Sequence, residues 1–380
     1  MKLLTVIGAR PQIIKAAALS RAIRSRFADR VQEVILHTGQ HYDTNMSAVF
    51  FDELGIPQPD HNLGVGSGSH GSQTAKMIAG IEEVLLGSHF DGVVLYGDTN
   101  STLAGAVAAA KIHVPVFHVE AGLRSFNMAM PEEQNRIVCD QLSSICFAPT
   151  QTAVNNLRHE GFADSRAVFR NGKGRRVVNC GDVMYDNSLY FSTLSASRTD
   201  IVARLGLGEG GYVLSTIHRD NNTDQPARLS SIFRALMDIA DSHGIDVVLP
   251  LHPRTAKLLP RNLEPALYAR LKASSRLRVI PPASFFEIIE LERHARVVMT
   301  DSGGVQKEAF FFGKPCVILR SETEWVEIVS EGAGVIADAD YQRIVDGYAD
   351  FAGREVHFPP LFGDGHAAEH IVSEIIKYLA

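Results

Sequence analysis

The sequence predicts an α/β protein of two doubly wound parallel-sheet domains that face each other across a cleft. Three observations lead there. Short apolar runs alternate with helix-patterned stretches along nearly the whole chain, the order that winds parallel strands with crossover helices on both faces. The 380 residues exceed one typical core and suit two domains of ordinary size. Between Asp182 and Leu205 the chain turns small and polar (Ser192-Thr193-Leu194-Ser195-Ala196-Ser197) before a fresh apolar run begins at Tyr212. A first domain is therefore expected over residues 1–185 and a second over 200–365. A last helix, 367–379, is able to cross back onto the first domain.

In the first half, strands are expected at Leu3–Ile7, Val34–Thr38, Gly92–Tyr96, Val114–Val119, Ser144–Ala148 and Val177–Cys180. In the second half they are expected at Tyr212–Thr216, Asp246–Pro250, Leu277–Ile280, Val297–Thr300 and Pro315–Leu319. Helical periodicity fills the intervals, as in Ser101–Ile112, Gln151–Glu160, Ser230–Ser242 and Val305–Phe312.

Composition narrows the function. A 45% hydrophobic and 21% charged chain is an ordinary globular one. Its formal charge of -6 argues against a broad attraction to nucleic acid, though not against a local basic pocket. Cys139, Cys146, Cys180 and Cys316 show neither metal spacing nor a thiol–base constellation, so reduced cytoplasmic thiols and no metal are expected. The opening Met1-Lys2-Leu3-Leu4-Thr5-Val6-Ile7-Gly8 is too short an apolar run for a signal peptide or a membrane span.

The most informative stretch is Val297–Glu308, where an apolar run ends in Thr300-Asp301-Ser302-Gly303-Gly304 and a helical pattern begins at Val305. Paired glycines at a strand-to-helix turn let a ligand approach the backbone. The unpaired first N–H groups of the helix make an anion site suited to phosphate. Ser302 adds a hydroxyl, and Glu308 is placed to accept from a ribose. The plainer reading is a turn in which Ser302 only caps the helix.

Other strand ends carry further candidates. Gly8-Ala9-Arg10-Pro11-Gln12-Ile13-Ile14-Lys15 follows the first strand without either the dinucleotide or the P-loop glycine pattern. Arg10 suits a phosphate, with Lys15 five residues on, unless both are simply solvated helix-start charges. Asp98 ends one strand and Glu120 the adjoining one; an Asp before a helix is often just an N-cap, but the repeated placement is harder to dismiss. Glu132 and Arg136 are one helical turn apart, the spacing of a site or of a surface salt bridge. Carboxylates at strand ends suggest proton transfer, with Arg10, Lys15, Arg124 and Arg136 to neutralise them or hold phosphate. His218, just past its strand, suits a phosphate oxygen or a leaving group, or else the core. His252 reads as structural, and His41 stays ambiguous.

Taken together, these motifs resemble the non-hydrolysing UDP-N-acetylglucosamine 2-epimerases, nearly end to end. The matching pieces are GARPQIIK at 8–15, TGQHYD at 38–43, YGDTNSTLAG at 96–105, HVEAGLRS at 118–125 and PEEQNR at 131–136. GDVMYD at 181–186, HR at 218–219, HPR at 252–254 and DSGGVQKEA at 301–309 complete the set. The resemblance implies two Rossmann-like domains of the glycosyltransferase-B type. It implies that Ser302, Gly303 and Gly304, with Arg10 and His218, hold a UDP diphosphate, and that Glu308 binds the ribose. Uracil would rest against 281–288, where Ala283 and Ile288 match. Lys15, Asp98, Glu120, Glu132 and Arg136 match sugar-side and catalytic positions, with His218 among the catalytic candidates. A cytoplasmic homodimer that needs no cofactor and serves surface-polysaccharide precursor synthesis is the corresponding expectation.

Several features are similar to the subgroup that includes UDP-2,3-diacetamido-2,3-dideoxyglucuronate 2-epimerases. Gln12 stands where a glutamate is usual, Trp325 where the common form has arginine, and the stretch from Arg124 to Pro131 is shorter. His41-Tyr42-Asp43 departs from the segment that binds a regulatory substrate in several relatives, so substrate activation is not expected. The implied reaction interconverts UDP-GlcNAc and UDP-ManNAc by loss of UDP to a 2-acetamidoglucal and its return, with domain closure excluding water. A glycosyltransferase of the same fold is the more distant alternative; a hydrolysing epimerase and a nucleotide-sugar sensor are the others.

Overall fold

The computed structural model describes residues 1–40, 55–162, 168, 169, 171–251 and 253–380. His41, Tyr42, Asp43 and His252 lie outside the described residues. The chain divides into two units, Met1–Asn187 with Pro360–Ala380, and Ser188–Pro359.

The first unit is wound on seven strands: β1 (Lys2–Ile7), β2 (Gln32–His37), β3 (His61–Asn62), β4 (Gly92–Tyr96), β5 (Val116–Val119), β6 (Ile145–Ala148) and β7 (Arg176–Asn179). They pair in the order β3-β2-β1-β4-β5-β6-β7, every pairing parallel. Leu3, Leu4, Val6 and Ile7 of β1 are all buried, the mark of a strand covered on both faces. The helix Ala367–Leu379 packs on the helix Arg10–Arg26, burying Ile371, Val372, Ile375 and Tyr378. The Tyr378 ring meets Phe117 edge-on at 5.9 Å.

The second unit carries β8 (Tyr212–Thr216), β9 (Asp246–Pro250), β10 (Leu277–Ile280), β11 (Val297–Thr300), β12 (Cys316–Ile318) and β13 (Gly334–Ile336). Their order is β10-β9-β8-β11-β12-β13, again parallel throughout. The helix Pro226–His243 covers this sheet with Leu229, Ile232, Phe233, Leu236 and Ile239, spaced to line one helical face. It stops at Gly244, whose φ of 62° is the left-handed C-terminal cap that glycine tolerates best.

The expected strands all form, with boundaries shifted by at most two residues. Two strands go beyond the expectation, β3 and β13, of two and three residues; neither is long enough to print a strand pattern. The helix expected from Val305 begins at Gly303. Its first residues need no intrahelical partner for their N–H groups, so the glycine pair fits there despite poor helix propensity. Among the described residues no helix is long and apolar enough to cross a membrane, and no group of three or more His, Cys, Asp or Glu could hold a metal ion.

Candidate active site

In each sheet the strand order reverses once, between β1 and β4 in the first unit and between β8 and β11 in the second. Crossovers leave in opposite directions from such a point, opening a crevice at the carboxyl ends of the strands. The candidate residues gather at these two places.

In the first unit, the ends of β1, β4 and β5 bring together Lys15, Asp98 and Glu120. Lys15 Nζ lies 2.6 Å from Glu120 Oε1, with side chains only 12% and 10% exposed. Asp98 pairs with Arg136, which also pairs with the buried Glu133. Glu133 in turn accepts from the backbone N–H groups of Ser125 and Phe126, so Arg136 is held from behind. Burial raises the Asp98 pKa; Arg136 and Lys15 pull it down, Glu120 and Glu132 push it up, and the net is a rise. A carboxyl so placed is suited to exchange a proton with a bound substrate. Glu120 sits at φ 73°, a left-handed conformation that disfavours a side chain, and such strain gathers at functional sites.

Two sequence readings are corrected here. Asp98 does not cap the following helix: the N-cap is Thr99, whose hydroxyl accepts from Thr102 N. Arg136 forms its ion pairs with Asp98 and Glu133 and not with Glu132, which is exposed. The three-residue spacing is the shorter reach, and Arg136 is drawn inward toward Asp98. Arg124 also leaves the candidate set. It is buried between Asp140 at 2.8 Å and Glu160 at 2.6 Å.

Residues without a role in the sequence reading build the floor. Gln12 uses its whole amide: Oε1 accepts from Gly8 N at 2.9 Å and Ala9 N at 3.2 Å. Its Nε2 donates to the Tyr96 carbonyl at 2.9 Å and to Thr102 Oγ1 at 3.0 Å. The first turn is thereby locked to the end of β4. His118 is fully buried, with Nδ1 2.7 Å from Asp140 Oδ1 and Nε2 2.7 Å from the Gly97 carbonyl. A carbonyl only accepts, so Nε2 carries a proton, and the Asp140 carboxylate faces the other nitrogen. Burial opposes the charge on His118, but Cys139 and Asp140 outweigh it and raise its pKa well above the ordinary value. Gly97, which this imidazolium holds, adjoins Lys15 and Glu120. The signal for His118 was its place two residues before Glu120 on a buried strand.

In the second unit, Thr216 and Thr300 are register partners on β8 and β11, so the residues after each strand lie side by side. His218 Nδ1 is 2.9 Å from Asp301 Oδ1, and Asp301 is fully buried whereas the imidazole is 52% exposed. Asp301 also accepts from His218 N, Arg219 N and Asn222 Nδ2, each at 3.1 Å. Burial raises the Asp301 pKa, but the hydrogen bond and charge of His218 and the Asn222 bond more than reverse it, leaving the carboxylate ionised. It therefore fixes one ring nitrogen and leaves Nε2 as the reactive edge. Asp301 has no role among the sequence expectations, although its position before Ser302 at a strand end is the cue.

Ser302 caps the helix Gly303–Phe311, accepting from Val305 N at 3.5 Å. That does not remove the anion site, because the N–H groups of Gly303 and Gly304 open the helix. Glu308 is one turn beyond Gly304, on the same face. Ala283 and Ile288 are half-buried after β10, two strands from β8. Arg10, exposed at the first position of its helix, adds a cation at the end of β1.

Two parallel-sheet α/β domains of Rossmann type, with basic groups, carboxyls and a glycine-opened helix at the switch points, define a class of enzymes that handle nucleotide-linked substrates. The sequence pattern of the UDP-N-acetylglucosamine 2-epimerases matches residues 24–376. The chain belongs to this family and is an isomerase. It is 47% identical to the UDP-2,3-diacetamido-2,3-dideoxy-D-glucuronate 2-epimerase of Pseudomonas aeruginosa, over 100% of this chain and 99% of the relative. A UDP-N-acetylglucosamine 2-epimerase homolog of Methanococcus maripaludis is 42% identical over the full length of both. Among solved structures, the UDP-GlcNAc 2-epimerase of Methanocaldococcus jannaschii in complex with UDP-GlcNAc and UDP superposes with a TM-score of 0.81. It is 37% identical, with all of both chains covered.

Proposed function

We propose that the protein inverts C2 of a UDP-linked 2-acetamido sugar, interconverting UDP-GlcNAc and UDP-ManNAc by elimination and re-addition of UDP. The observation that carries this reading is the cluster of Asp98, Glu120, Lys15 and Arg136 at the ends of adjoining strands, with the Asp98 pKa raised.

The C2–H of such a sugar has no adjacent carbonyl to acidify it. Loss of the diphosphate from C1 supplies the acidity. A carboxylate takes the C2 proton, the C–H electrons form the C1=C2 bond, and the C1–O pair departs with UDP. The return adds a proton to the opposite face of C2 while UDP rejoins C1. Asp98, Glu120 and Glu132 are the groups for these transfers. Gly303 N, Gly304 N, Ser302, Arg10 and His218 hold the diphosphate, stabilising it as a leaving group and keeping it for the return. Glu308 binds the ribose, and uracil rests by Ala283 and Ile288. The reading includes a cytoplasmic homodimer, which fractionation and sedimentation would check.

The 47% identity to the Pseudomonas enzyme favours a second reading, in which the sugar is the 2,3-diacetamido uronate. One experiment separates these. Each UDP-sugar is incubated with the enzyme in deuterated water and followed by NMR. Deuterium at C2 with an inverted UDP-sugar product supports the mechanism, and the faster substrate names the sugar. Transfer to an acceptor without C2 exchange would instead support a glycosyltransferase.

A further inference from the structure

Glu292 sits on the helix Phe285–His294, which packs against the helix Gly303–Phe311. It is 0% exposed and follows Leu291, a member of the apolar core that also holds Ala295, Ala309 and Cys316. Neither carboxyl oxygen has a donor in reach. An ionised carboxylate in that setting lacks both water and a counter-charge and is strongly disfavoured. The polar group it meets is Glu308, the carboxyl assigned above to the ribose. Two adjoining carboxyls in a dry site do not both ionise. Burial first, then the charge of Glu308 and the hydrogen bond between the two, push the Glu292 pKa well above its usual range. Burial, with Glu292 adding to it, pushes the Cys316 thiol up, so it stays neutral and supplies no counter-charge.

We propose that Glu292 is a positioning residue for the nucleoside: it stays a neutral acid and donates its O–H to the Glu308 carboxylate, aiming Glu308 at the ribose hydroxyls. This rests on the reading of Glu308 as the ribose ligand. A carboxylate offers about four lone-pair directions, so the Glu292 donor and the ribose hydroxyls can use different ones. Fixing the rotamer before binding removes an ordering cost that would otherwise weaken the complex.

The test is the preference for UDP over 2′,3′-dideoxy-UDP, measured by calorimetric titration in the wild type and in Glu308→Gln, Glu292→Gln and Glu292→Leu. The wild type should favour UDP at least tenfold, and Glu308→Gln should lose that preference. Glu292→Gln, which keeps an N–H donor, should retain it within about threefold, whereas Glu292→Leu should lose most of it. A merely structural role would change the melting temperature or both affinities together, and leave the ratio alone. Loss of the preference in Glu308→Gln with full retention in Glu292→Leu would overturn the positioning role while sparing the ribose reading. No preference in the wild type, or an unchanged one in Glu308→Gln, would sink both. Infrared difference spectra supply a second readout: a protonated-carboxyl band at neutral pH should vanish in Glu292→Gln, and its absence from the wild type would refute the proton's placement.

Discussion

Lys15 and Glu120, 105 positions apart, meet at 2.6 Å because β1, β4 and β5 are neighbours and end at one level. The pair is nearly dry, and Glu120 is held in a left-handed backbone conformation. An opposite charge at this distance favours an ionised carboxylate. Lys15→Met should therefore leave the Glu120 carboxylate without its counter-charge. Turnover should fall on the order of 10²-fold, the scale of a mistuned acid–base group. The rate of C2 deuterium exchange reads this directly. An unchanged rate would make the pair structural.

The glycines separate into two kinds. At Gly303 an added Cβ would meet only side-chain ends, Glu324 Oε2 at 3.4 Å, Arg320 Nη1 at 3.7 Å and Trp325 Nε1 at 3.8 Å. The fold thus does not require glycine there, and alanine should stabilise by a few tenths to about 1 kcal/mol. We expect Gly303→Ala to keep or raise the melting temperature while weakening UDP binding tenfold or more. At Gly8 a Cβ would lie 2.1 Å from Ser101 Oγ and 2.2 Å from Thr38 Oγ1. Gly8→Ala should cost about 1–3 kcal/mol of stability by overpacking. Titration and thermal melts of the two variants should give opposite patterns; a Gly303→Ala protein that binds UDP normally would remove that turn from the diphosphate site.

Much of this arrangement was legible because parallel strands print it. Apolar runs such as Val93-Val94-Leu95-Tyr96 stop at a glycine, and the residue just beyond, Asp98, is placed at the carboxyl edge without further information. Adjacency of strands is not printed in the same way. That β1 lies beside β4 comes from crossover packing, so the Lys15–Glu120 pair could be guessed only as membership of one region. Buried polar partners were the least legible. His118, Asp140, Asp301 and Glu292 look like ordinary strand, helix or turn residues until tertiary structure removes their water and supplies one neighbour. The choice left open at Glu132 and Arg136 has the same origin: spacing permits a surface bridge, and the ion pairs of Arg136 with Asp98 and Glu133 decide against it.

Gln12 makes a further prediction. Its four hydrogen bonds tie the turn that carries Arg10 to the end of the strand that carries Asp98. Gln12→Met fills nearly the same volume but leaves the Gly8 and Ala9 N–H groups buried without acceptors, while Tyr96 O keeps Thr102 Oγ1 at 2.7 Å. Two orphaned donors at about 1–3 kcal/mol each give a loss of roughly 2–4 kcal/mol after allowing for relaxation. Urea denaturation measures it, and a loss below about 0.5 kcal/mol, the range of an unexceptional surface substitution, would show that the turn is held by other means.

Asp186 ties the C-terminal helix to the first unit, its carboxyl accepting from Ala367 N at 3.1 Å and Ala368 N at 2.8 Å. Those bonds and the helix N-terminus favour the charged form. Burial opposes them and, with Asp182 adding to it, raises the pKa to about 6. The folded value then lies above the unfolded one of about 3.9, so the folded state holds the proton more tightly and stability falls as pH rises between them. The contribution is fully present below about pH 4 and gone above about pH 6, with a span on the order of 2–3 kcal/mol. Other groups titrate in the same window, so the quantity to measure is the difference between wild type and Asp186→Asn in urea unfolding across it. That difference should shift in favour of the Asn variant as pH rises toward 6 and then stay level. If the wild type instead gains on the variant over this range, the helix-end charge outweighs burial and the Asp186 pKa is depressed.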